Sequence, residues 1–197
     1  MNIVTRSWTQ RLMLLLALAA LQSQADEDKT TAFKAPNFQA VTLTGETVQL
    51  SDFIGKKPVY LKFWATWCRY CVAEMPRLQA IYDEFGSEIA VLSINVGLND
   101  SVENIEKLFG ENGYQLPVVF DRQGEITTQF GVVGTPHHIL IDRKGHIAYR
   151  TFLSSDTLDQ MIQVMSREKT VNAEAGEESV FEPQLVLQSD IKHGEVK

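Results

Sequence analysis

Cys68 and Cys71 are the only two cysteines in a chain of 197 residues, and two residues separate them. They sit where an apolar run, Val59 to Trp64, passes into a helical pattern beginning at Arg69. At that joint the i, i+3 spacing puts both sulfurs on one face of a first helical turn. The turn presents unpaired N–H groups and the positive end of the helix dipole, which favour a thiolate at Cys68 and lower its pKa. Arg69 adds a positive charge beside it. Such a pair suits thiol–disulfide exchange, in which one sulfur attacks a partner disulfide and the other resolves the mixed disulfide. Two readings compete. An inert staple is disfavoured because so short a loop contributes little closure entropy. A structural zinc site wants four Cys or His ligands. Of the four histidines, His137 and His138 are adjacent, and strand alternation sends them to opposite faces, where they cannot easily share a metal. A packed or solvated histidine is the expectation for both.

The elements that must position the pair follow from the pattern. Pro36 to Phe53 alternates around Gly45-Glu46 and predicts a hairpin, Phe38 to Leu43 and Thr47 to Leu50. Val59 to Trp64 is almost continuously apolar, as in a strand covered on both faces. The helix from Arg69 runs to about Phe85, with Leu78, Ile81, Tyr82 and Phe85 on one stripe, an internal Pro76, and Gly86 as its stop. Ile89 to Val96 is a second buried strand. Ser101 opens a helix that Gly113 ends, with Ile105, Leu108 and Phe109 inward. Leu116 to Phe120 predicts a short strand and Ile126 to Phe130 a short helix. His137 to Asp142 and His146 to Phe152 predict a second hairpin, and Ser154-Ser155-Asp156 caps a last helix with Leu158, Met161, Ile162 and Met165 inward. The sum is α/β: a central mixed sheet flanked by helices, with an N-terminal β-hairpin.

Outside this body, Arg6 and Arg11 precede an apolar run, Leu12 to Leu21, too short to span a bilayer, and Ser23-Gln24-Ala25 offers a cleavage site. Residues 1–25 are expected to be a signal peptide, with an uncleaved anchor as the alternative, and 26–34 a flexible mature N-terminus. The domain is expected at 35–166, and 167–197 as an acidic, mobile tail. The net charge of −7, with no basic block, gives no support for nucleic-acid binding. No phosphate-binding glycine loop is present, so no organic cofactor is expected.

Phe63-Trp64-Ala65-Thr66-Trp67-Cys68-x-x-Cys71-x-x-Glu74-x-Pro76, followed by Gly134-Thr135-Pro136 and Ile139-Leu140-Ile141-Asp142, resembles the thioredoxin superfamily, and within it the exported TlpA/ResA/CcmG-like branch. The resemblance covers roughly Ala35 to Ser166. It implies a thioredoxin-like fold with a central insertion near Asn99 to Tyr114. It implies Cys68 as nucleophile, Cys71 as resolving thiol, and Glu74 as an acidic group exchanging protons with them. It implies a cis Thr135–Pro136 bond beside Cys68, with Thr135, Pro136 and Trp67 meeting the client. It implies a protein disulfide reductase in the periplasm or on the outer face of the cytoplasmic membrane. Its clients would be disulfide-containing exported proteins, apocytochrome c before haem attachment among them, and its reductant a membrane thiol transporter of the DsbD/CcdA type. A Cu(I)-handling module and a redox-inert interaction protein are the alternatives.

Lys62 departs from the branch pattern, which often has asparagine there. Its apolar neighbours on the strand predict a part-buried stem, and a buried lysine needs a partner. Glu74 is the acid best placed to pair with it near Cys71, and Lys62 would then tune the thiol pKa values. The alternative is a Lys62 that snorkels to solvent.

Overall fold

The computed structural model describes residues 33–168. The expected signal segment, and all of the tail beyond Glu168, lie outside the described residues. In chain order the elements are β1 (Gln39–Val41), β2 (Thr47–Gln49), a 3-10 turn (Leu50–Asp52), β3 (Val59–Trp64), α1 (Arg69–Phe85), β4 (Ala90–Asn95), α2 (Val102–Asn112), β5 (Val118–Phe120), α3 (Glu125–Gln129), β6 (His137–Ile141), β7 (Ile147–Thr151) and α4 (Asp156–Arg167). Five strands form one sheet in the order β5-β4-β3-β6-β7. The β3/β4 and β4/β5 pairs are parallel; β3/β6 and β6/β7 are antiparallel.

Every residue of β3, β4 and β6 is buried, which is why those runs do not alternate. The strand that carries Lys62 into Trp64 is thus the centre of the sheet. The edges are partly covered. Leu43 N–H donates to Val118 O at 2.8 Å, seating the β1–β2 hairpin against β5, and Ile147 N–H donates to Phe33 O at 2.8 Å beside a Lys34–His146 bridge. Among the described residues, Phe33 and Lys34 therefore also pair with the β7 edge.

In α1, Cys71, Met75, Leu78 and Ile81 form the buried stripe, at the three-to-four-residue spacing that aims one face at the sheet. Gly86 ends the helix without turning left-handed, at φ −62°. Glycine is needed there for space, because a Cβ would lie 2.5 Å from Tyr82 O. Ser101 and Ser155 cap α2 and α4 by accepting from Asn104 N–H and Leu158 N–H. The stretch expected as a central insertion is α2 with its flanking turns, and it delivers the edge strand β5. Among the described residues no helix is long and apolar enough to cross a membrane.

Candidate active site

Cys68 is the N-cap of α1, and Cys71 lies one turn inside it. Their sulfurs are bonded, at 2.15 Å. The Cys71 N–H points at Cys68 Sγ, at 3.3 Å. In the reduced protein that donor and the helix dipole both favour a thiolate on Cys68. Cys68 keeps 7% of its surface open and Cys71 none, so an incoming disulfide meets Cys68 first.

The approach to Cys68 is held from outside the motif. The Asp100 carboxylate accepts from Thr66 N–H at 2.7 Å, Thr66 Oγ1 at 2.6 Å, Asn95 Nδ2 at 2.7 Å and Ser101 N–H at 2.9 Å. Burial pushes the Asp100 carboxyl up, but the Asn95 and Thr66 donors outweigh it and hold it below the usual range. Trp67, 53% exposed, donates its Nε1–H to Leu98 O at 2.7 Å. The turn between β4 and α2 therefore grips both residues that precede Cys68. Sequence reasoning missed Asp100. Its one signal was a position just before the Ser101 cap, which reads equally well as local helix chemistry.

Thr135–Pro136 is cis. Pro136 is buried and leads into β6, whose His137 stands opposite Phe63 of β3. This register puts the Pro136 end of β6 at the same end of the sheet from which β3 runs into Cys68. Arg69 and Tyr70, between the cysteines, are exposed.

Under this end of the sheet lies a buried polar cluster. Lys62 is fully buried and its ammonium pairs with Glu74 Oε2. The snorkelling alternative does not occur. Glu74 stands three residues after Cys71 on α1, neighbours on one helix face with Cβ atoms roughly 5–6 Å apart. Its Oε1 accepts from Ser154 N–H at 2.8 Å, and His138 Nε2 stands 3.2 Å from Oε2. Burial pushes the Glu74 carboxyl up, but His138, Lys62 and the Ser154 N–H together bring its pKa to about 2. Burial lowers the Lys62 pKa, with Glu74 opposing it. The result is an ionised pair whose carboxylate can receive a proton but holds none to give at neutral pH.

His138 and His137 separate as alternation requires. His138 turns to Glu74 and Tyr60, whose hydroxyl is 2.7 Å from Nδ1. His137 packs edge-on against Phe152, ring centroids 4.8 Å apart, with both ring nitrogens lacking a partner. Burial first, then the Arg150 and His138 charges, lower the His137 pKa to about 4. Among the described residues no group of three or more His, Cys, Asp or Glu side chains is gathered to hold a metal.

The family model of the AhpC/TSA family matches residues 32–150. The chain belongs to the AhpC/TSA family. It is 35% identical over 143 residues to the thiol-disulfide oxidoreductase ResA of Geobacillus thermodenitrificans, across 68% of this chain and 80% of that one. It is 36% identical over 116 residues to the thioredoxin-like protein YneN of Bacillus subtilis, across 58% of this chain and 66% of that one. Among solved structures it is similar to the exposed lipoprotein thioredoxin of Streptococcus pneumoniae, with a TM-score of 0.58 and 30% identity, across 66% of this chain and 99% of that one. The fold is thioredoxin-like, with the five-stranded mixed sheet between helices and the separate two-stranded N-terminal sheet that the sequence implied.

Proposed function

We propose that this chain is an exported thiol–disulfide oxidoreductase that reduces disulfides in client proteins outside the cytoplasmic membrane. The observation that carries the reading is the Cys68–Cys71 pair: one sulfur at the helix start with an N–H aimed at it, the other fully enclosed one turn on. The Cys68 thiolate attacks a client disulfide and expels one client thiolate, leaving a mixed disulfide. Cys71 loses its proton to Glu74 and attacks Cys68 Sγ, which releases the second client thiolate and closes the Cys68–Cys71 disulfide. Two electrons pass to the client, and a membrane dithiol donor of the DsbD/CcdA type restores the reduced pair. Thr135, Pro136 and Trp67 border the site from the strand end and the loop before Cys68, and these residues would receive an extended client segment, apocytochrome c being one candidate. Arg6 and Arg11 ahead of the apolar run Leu12 to Leu21 support export.

The test is insulin reduction by the purified reduced protein beside titration with Cu(I). Catalytic turnover abolished by Cys68→Ala supports the reading. Stoichiometric Cu(I) uptake without insulin reduction favours a copper-handling module, and neither activity favours a redox-inert interaction protein. A measured reduction potential fixes the direction of electron flow.

A further inference from the structure

The buried cluster contains an imidazole that the exchange scheme above leaves unused. Tyr60 is 1% exposed and His138 not at all. Tyr60 Oη lies 2.7 Å from His138 Nδ1, and His138 Nε2 lies 3.2 Å from Glu74 Oε2. The partners decide the tautomer. An ionised carboxylate only accepts, so the nitrogen facing Glu74 must carry the proton; Nδ1 is then an acceptor, and the Tyr60 hydroxyl donates into it. The Nε2–Oε2 contact lies off the line of a straight hydrogen bond, so a small rotation of either group sets its strength. The charged groups around the imidazole are Lys62 on β3, Glu74 and Arg77 on α1, and Asp159 on α4, the last two paired at 2.9 Å.

We propose that His138, set as its Nε2–H tautomer by Glu74 and held in place by Tyr60, is a positioning residue for the resolving step, steadying the ionised Glu74 carboxylate in the orientation from which it takes the Cys71 proton. The inference rests on the reading of Glu74 as the proton acceptor. In that step the Cys71 S–H bond breaks, its proton goes to Glu74, and its electron pair forms the bond to Cys68 Sγ as the bond from Cys68 to the client sulfur breaks. The proton then leaves through the part of Glu74 that reaches solvent, 15% of its side chain.

Stopped-flow mixing of the reduced protein with the disulfide of thionitrobenzoate separates the steps. The first thionitrobenzoate released reports attack by Cys68, and the second reports resolution by Cys71. Loss of the side chain that orients the carboxylate predicts that His138→Leu slows the second phase about tenfold and leaves the first within about twofold. His138→Gln can set an N–H where Nε2 stands and should recover most of the second phase. Tyr60→Phe, which removes the donor occupying Nδ1 and so lets the ring take a second proton more readily, should shift the pH profile of the second phase only. Equal slowing in His138→Leu and His138→Gln overturns the inference in favour of simple packing. A second phase slowed in Glu74→Gln but not in His138→Leu removes the inference and leaves the Glu74 reading standing, whereas a second phase unchanged in Glu74→Gln removes both. If His138→Leu does not fold, Tyr60→Phe decides, and an unshifted second-phase pH profile overturns the proposal.

Discussion

Replacing Lys62 by methionine keeps most of the side-chain volume and removes the ammonium, leaving Glu74 with His138 and the Ser154 N–H. The carboxyl sits at about 2 against an ordinary 4.5, so the fold favours its charged form. That stabilisation is shared among three donors and is offset by the burial of Lys62 itself, whose own pKa is lowered. Removing one partner of a buried pair costs about 3–5 kcal/mol, and the two remaining donors place Lys62→Met at the low end, about 3 kcal/mol at pH 7. In a chain of this size that is a fall of roughly 6–12 °C in Tm. The sign with pH follows from a folded carboxyl pKa below the unfolded one. The Glu74 contribution is present above pH 4.5 and is lost as pH falls through about 2. The acid limb of stability should therefore be flatter in Lys62→Met, and the gap to wild type should narrow below pH 4.5. Urea unfolding of the oxidised protein across pH 2–8 measures both. The double variant Lys62→Met/Glu74→Leu, which buries no charge, should recover much of the loss. A single variant within about 0.5 kcal/mol of wild type at pH 7, or a double variant no better than the single, would refute the reasoning.

Reduced Cys68 should alkylate at least about tenfold faster than Cys71 at pH 7, because only Cys68 combines exposure with the helix-start N–H; Cys71→Ala should trap mixed disulfides and Cys68→Ala none, read on non-reducing gels. Asp100→Ala strips the acceptor shared by Thr66, Asn95, Ser101 and Asn104 and should cost about 2–3 kcal/mol in urea unfolding while slowing the first phase of disulfide reduction; an unchanged first phase would mean that the turn before Cys68 holds itself. His137 is neutral in the fold, so stability should fall as pH drops from 6.5 to about 4 and it is forced to protonate. His137→Phe should remove that part of the acid loss, measured by the same unfolding series, and a parallel profile would show that His137 contributes nothing to it.

Much of the architecture was legible because its signals are local. The apolar run Val59 to Trp64, interrupted only by Lys62, reads as a covered strand. The Cys68 to Cys71 spacing reads as a helix start whatever lies around it, and Ser101, Gly113 and Ser155 mark helix ends through bonds to their own neighbours. The Lys62–Glu74 pair was also within reach, since a lysine inside an apolar strand demands a partner and the helix offered one acid at the right height. Other features depended on contacts between residues far apart in sequence. Asp100 reaches Thr66 across 34 residues, and Tyr60 reaches His138 across 78, so no periodicity or spacing could join them. Nor could composition tell which of two adjacent histidines would meet a carboxylate and which would be left with unpartnered nitrogens. The β3–β6 register decided that by setting His138 opposite Lys62 and His137 opposite Phe63, so that one imidazole shares a sheet face with the charges and the other with the aromatic core.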